Sequence, residues 1–147
     1  MVLISTWARP RRHVLAVLDH WTTLHAEDQI HRLVESLALF CLSPRVWDED
    51  PELARAVLAT EALAPGFAVQ CEACRTHDTR SRLAEVRMPA LVLAGSRDLL
   101  MSPDNAVELH EAIAGSRLVT LETGHVPFWE APDETAEVVG QFAGGLA

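Results

Sequence analysis

The segment from Met88 onward constrains the fold most. Met88-Pro89 breaks the chain, and Ala90-Leu91-Val92-Leu93-Ala94 then runs without a polar residue, the texture of a strand buried on both faces. Gly95-Ser96-Arg97-Asp98 forms its exit turn. Ser102-Pro103-Asp104 opens a helix with Ser102 as N-cap, and Gly115 closes it where a left-handed residue is wanted. Leu118-Val119-Thr120-Leu121 is the next strand and Thr123-Gly124-His125 its exit loop. Pro132-Asp133-Glu134 starts a last helix through Val138, Val139 and Phe142, with Gly144-Gly145 as a frayed end. Strand, helix, strand, helix predicts parallel strands joined by crossovers.

Before this lies a different texture. Val2-Leu3-Ile4-Ser5-Thr6 is a short β-branched apolar run of strand type. Pro10 opens a helix on which Val14, Val17, Leu18, Trp21 and Leu24 share one stripe. Ile30, Leu33, Val34, Leu37 and Cys41 mark a second helix, stopped by Ser43-Pro44 because a residue before Pro is pushed out of the helical region. Asp50 caps a third that begins at Pro51 and carries Leu53, Val57 and Leu58. After the Ala64-Pro65-Gly66 break, a fourth carries Phe67, Cys71 and Cys74. The chain thus divides into a core strand (1–9), a helical region (10–82) and a βαβα end (83–147).

Charge excludes several function classes. All 12 basic residues are Arg, against 21 acidic ones, for a net charge of −9. No sustained basic face is available to neutralise phosphates, so nucleic acid and anionic membrane are not expected partners. The apolar runs are far shorter than the roughly 20 residues of a membrane span. Arg9, Arg11 and Arg12 follow the first apolar run, the reverse of a secretory signal. Cys41, Cys71 and Cys74 are odd in number, which suits reduced thiols. A cytoplasmic location is expected.

In open parallel sheets, functional residues gather in loops at the carboxyl ends of strands. Asp98 follows one predicted strand and His125 the next, so adjacent parallel strands would bring both to one edge of the sheet. A carboxylate accepting the imidazole Nδ1–H fixes the tautomer and leaves Nε2 free to take a proton from a nucleophile. Alone, Asp98 reads as a turn residue and His125 as a histidine tied to a carbonyl. Together, acid before histidine, they match the order of an α/β-hydrolase triad.

The resemblance extends beyond the pair. Leu83, Val86, Pro89-Ala90-Leu91-Val92-Leu93-Ala94-Gly95, Asp98, Pro103, Gly124-His125, and Glu130 with Pro132 are together similar to the C-terminal end of an α/β-hydrolase. Residues 1–82 resemble the family's last strand before its helical cap, followed by the cap. Trp7-Ala8-Arg9-Pro10 and Thr76-His77-Asp78-Thr79-Arg80 are most like the esterase and enol-lactonase branch. The implied fold is α/β, a partial α/β-hydrolase with a short parallel sheet of about three strands, helices on its faces and a helical cap. The implied reaction is hydrolysis of a small ester or lactone through an acyl-enzyme, His125 acting as general base and then acid and Asp98 orienting it. The resemblance also implies that Glu130 helps seat the loop carrying His125.

One part of the family pattern is missing. The seven glycines are 66, 95, 115, 124, 140, 144 and 145, and none brackets a nucleophile as Gly-x-Ser-x-Gly. The resemblance spans nearly all of this chain but only the second half of the family's fold. The chain is therefore expected to be inactive alone, either as a fragment or as one part of a split enzyme whose other polypeptide supplies the nucleophile. Self-association through the first strand is a further expectation. The alternative is a non-catalytic remnant, a binding or interaction module of the same fold.

Cys71-x-x-Cys74-x-x-His77 carries zinc-ligand residue types, but both thiols fall on an apolar helix stripe beside Phe67, so core packing is preferred over a helical zinc module. No cofactor or metal is implied. Asp104 and Asp133 suit the first turns of helices. Trp129, four residues after His125, either lines a substrate pocket or packs the last helix onto the sheet. His13, His20, His25, His31, His77 and His110 have no assigned role.

Overall fold

The computed structural model describes residues 1–61, 63 and 65–145. Ala64 of the predicted Ala64-Pro65-Gly66 break lies outside the described residues, as do Leu146 and Ala147 at the end of the third segment. Three parallel strands form one sheet in the order β1 (Val2–Ile4), β2 (Leu91–Gly95), β3 (Arg117–Leu121). Val2, Leu3 and Ile4 pair with Leu91, Val92 and Leu93, and β2 pairs along its whole length with β3. Every residue of β2 is buried, as expected for an unbroken apolar strand between two neighbours.

Between β1 and β2 the chain is helical: α1 (Arg12–Ala26), α2 (Ile30–Cys41), α3 (Pro44–Glu49), α4 (Pro51–Leu58), α5 (Phe67–Thr76) and a 3₁₀ turn (Arg80–Glu85). The predicted stripe of α1 is its buried face: Val14, Val17, Leu18, Trp21 and Leu24. They pack with Leu33, Cys71, Leu100 and Met101. Leu100 and Met101 belong to the loop after β2, so the helices and the sheet's carboxyl edge share one core. A second cluster lies along the sheet, with Val92, Ala94, Leu109 and Ile113. A third, Ala38, Leu42, Val46 and Ala54, joins α2, α3 and α4.

Asp50 caps α4 as predicted, its carboxylate accepting the Leu53 N–H at 3.2 Å. Several local expectations differ. Helix α1 begins at Arg12, with Arg11 rather than Pro10 at its start. Pro44 ends α2 but also opens α3, since its fixed φ suits a first helical turn. After β2, the helix α6 (Asp104–Ala112) has Pro103, not Ser102, at the N-cap, and the Ser102 hydroxyl lies 3.4 Å from the Asp104 N–H. A short α7 (Pro127–Glu130) precedes α8 (Pro132–Gly144). Gly144, read as frayed, is the last residue of α8, which no β-branched or proline residue interrupts at that end.

Candidate active site

The loops after β2 and β3 meet at the carboxyl edge of the sheet. Gly95, the last residue of β2, permits the meeting: a Cβ there would lie 2.1 Å from the Gly124 carbonyl oxygen and 2.3 Å from that of Thr123. Only a glycine lets the backbone of the second loop lie against the end of the strand. Arg97 N–H donates to the Thr123 carbonyl at 2.9 Å, fixing the two loops in register.

Asp98 and His125 are brought together by this contact. His125 Nδ1 lies 2.9 Å from Asp98 Oδ2, and because an ionised carboxylate only accepts, Nδ1 carries the proton. The other oxygen, Oδ1, accepts the backbone N–H groups of Leu100 at 2.9 Å and Met101 at 2.7 Å. Those residues are held in the helical core, so the carboxylate's orientation is set by packing. The Asp98 side chain is 1% exposed and the His125 side chain 21%. The acid is thus enclosed while the ring reaches the surface, leaving Nε2 as the nitrogen that can exchange a proton with a reacting group.

Glu130 anchors the His125 loop. Its Oε1 accepts the N–H of Gly124 at 3.1 Å and of Ser43 at 2.9 Å, and its Oε2 accepts the Ser43 hydroxyl at 2.6 Å. Cys41 lies beside the pair. Burial, reinforced by the nearby Asp98 carboxylate, pushes its thiol up to about 12, so it remains a neutral S–H.

Trp129 sits on α7, half exposed, edge-on to Phe128, and borders a groove of about 420 Å³ with Leu53, Ala56, Val57 and Thr60 of α4 and the residues that follow it. Cys71 is buried in the helical core with Phe67 and Cys74 against it, and His77 stands edge-on to Trp7. Burial raises both thiols. Among the described residues, no group of three His, Cys, Asp or Glu side chains is arranged to hold a metal ion. No helix there is long and apolar enough to cross a membrane.

Sequence reasoning missed Ser43 and the Cys41 carbonyl. Ser43-Pro44 signalled a helix stop, and nothing in its spacing from Glu130 points to a contact across 87 positions.

No family model matches the chain. It is 28% identical over 108 residues to 3-oxoadipate enol-lactonase 2 of Acinetobacter baylyi, a match covering 72% of this chain and 40% of that protein. Its structure superimposes on the enol-lactonase from Burkholderia xenovorans LB400 with a TM-score of 0.85 at 26% identity, covering 97% of this chain and 55% of that one. MGS-M2, an α/β hydrolase from a Medee basin deep-sea metagenome library, gives 0.85 at 20% identity, with 98% and 55% covered. The chain has the α/β-hydrolase fold over the part that it spans. It spans about half the length of these solved relatives.

Proposed function

We propose that this chain supplies the acid and base of an α/β-hydrolase that cleaves a small ester or lactone, the nucleophile coming from a polypeptide segment outside these 147 residues. The observation that carries the reading is the 2.9 Å contact between His125 Nδ1 and Asp98 Oδ2, with Oδ1 already committed to two backbone donors. Such a pair presents Nε2 as a base of fixed direction and stabilises the imidazolium once it forms.

The steps follow from that geometry. A serine hydroxyl attacks the carbonyl carbon while its proton passes to His125 Nε2. The tetrahedral adduct collapses, the ester or ring C–O bond breaks, and the departing alkoxide takes that proton from Nε2. Water then attacks the acyl carbon, giving its proton to Nε2. The acid departs and the serine regains the proton. Asp98 remains ionised throughout. Helices α1–α5 form the cap, and the groove beside Trp129 is assigned to the substrate's apolar part. The names of the relatives support the ester and lactone class, since enol-lactonases appear among both the curated and the solved matches.

The test is completion. The chain is joined to, or mixed with, a polypeptide carrying the preceding strands and a Gly-x-Ser-x-Gly turn, and hydrolysis of short-chain esters and lactones is measured. The expected rate depends on the serine, on His125 and on Asp98, and loss of any one removes most of it. Association without a His125-dependent rate would overturn the reading and favour a non-catalytic binding module.

A further inference from the structure

The corner between α2 and α3 reaches the active loop by more bonds than packing alone requires. The Cys41 carbonyl accepts the His125 N–H at 2.8 Å. Two residues on, Ser43 presents both its N–H and its hydroxyl to Glu130, at 2.9 Å and 2.6 Å. Glu130 in turn receives the Gly124 N–H. Ser43 is fully buried, so its own N–H and hydroxyl cannot turn to water instead. The contact is also close: a Cβ on Gly124 would lie 2.6 Å from Ser43 N, 2.7 Å from the Cys41 oxygen and 2.7 Å from Glu130 Oε1. Val126, on the other side of His125, packs into the α2–α4 cluster. The histidine is therefore flanked by residues held to the helical region, while Asp98 is held through Leu100 and Met101.

We infer that the Cys41–Ser43 corner positions His125 for Asp98, with Ser43 as the positioning residue that locks the Glu130 carboxylate under the histidine loop. The inference rests on reading Asp98 and His125 as the acid–base pair, and it assigns to the helices a direct part in keeping that pair aligned. A displacement of α2 and α3 is carried through the Cys41 carbonyl to the backbone nitrogen of His125, because the bond is short and both ends are backbone. Ser43 touches no reacting atom. Its effect is to hold the ring where Nδ1 meets Oδ2, and so to select the tautomer with the proton on Nδ1.

The test reads that tautomer. Ring ¹⁵N shifts of His125 in the full chain, taken where the ring is neutral, give the ratio of Nδ1–H to Nε2–H forms. The chain itself is expected to hold mainly the Nδ1–H form, and Asp98→Ala to lose that preference; if Asp98→Ala changes nothing, the acid–base reading itself fails. Ser43→Ala removes no charge and is expected to lower the ratio about five-fold or more, as losing a charge-assisted bond would. Ser43→Cys fills the same space with a weaker donor and serves if Ser43→Ala does not fold. Glu130→Gln, which keeps an acceptor for both N–H groups, is expected to retain more of the ratio than Glu130→Ala. Signals from His13, held on the Leu100 carbonyl, and His110, on Ser116, report whether the fold is intact. An Asp98-dependent ratio left unchanged by both Ser43 variants, with lowered melting temperature alone, would overturn the positioning role and leave the pair standing.

Discussion

Raising the pH ionises Cys41 in the unfolded chain before it does so in the folded one. Burial and the Asp98 carboxylate hold the folded thiol at about 12, against its ordinary value of 9.0. A group whose folded pKa lies above its unfolded one contributes stability that is complete below the lower value and is lost as pH rises toward the upper one. The window is therefore 9 to about 12. At 1.36 kcal/mol per unit, the full loss is about 4 kcal/mol, of which about 2 kcal/mol is gone by pH 10.5. The sequence makes the experiment clean, because it contains no Tyr and all its basic residues are Arg. Thiols are the only side chains that titrate between those limits. Cys71 and Cys74 are also raised by burial and add in the same sense, so the comparison that isolates Cys41 is with Cys41→Ala. Urea unfolding under a reductant at about pH 8 and at pH 10.5 gives the slope for each. The chain is expected to lose about 2 kcal/mol more than Cys41→Ala over that interval. Equal slopes would refute the reasoning, since the thiol would then ionise as readily folded as unfolded and Cys41 would be available as a nucleophile beside His125.

Two other outcomes are expected. Gly95→Ala sets a Cβ against backbone on the adjoining loop, which no side-chain motion relieves, so the variant is expected to lose several kcal/mol or fail to fold, whereas Gly140→Ala, open on all sides, is expected to melt at or above the temperature of the unaltered chain. Light scattering with size exclusion is expected to find self-association, because β1 is an edge strand among the described residues, with Met1 and Val2 exposed and a groove of about 410 Å³ lined by Met1, Leu3, Trp7 and Ile113; a monodisperse monomer would show that edge to be covered.

Much of the arrangement was legible because it depends on short-range chemistry. Ala90–Ala94 reads as a doubly buried strand, and β2 is one, since nothing polar in it could face water. The stripe of α1 follows from spacing alone. Asp98 and His125 were visible because parallel topology converts two separated strand ends into neighbours, and the 2.9 Å contact is that conversion. Ser43 was invisible for the opposite reason. Its partner, Glu130, is distant in sequence, and a serine before a proline has a sufficient local explanation as a helix stop. The short helices α3 and α7 escaped notice because each is shorter than two turns and begun by a proline, too brief to show a period. The need for glycine at 95 likewise depends on a backbone that arrives from another loop.

In the proposed function these residues carry an aligned acid and base but no nucleophile for them to activate. The direct measurement is the initial rate of hydrolysis of short-chain activated esters by the 147-residue chain, beside its His125→Ala and Asp98→Ala variants. The predicted result is one background rate for all three. Turnover by the unaltered chain that disappears in His125→Ala would contradict the account and place the nucleophile within the chain, with Ser5, Ser96 and Cys41 as the side chains to replace next.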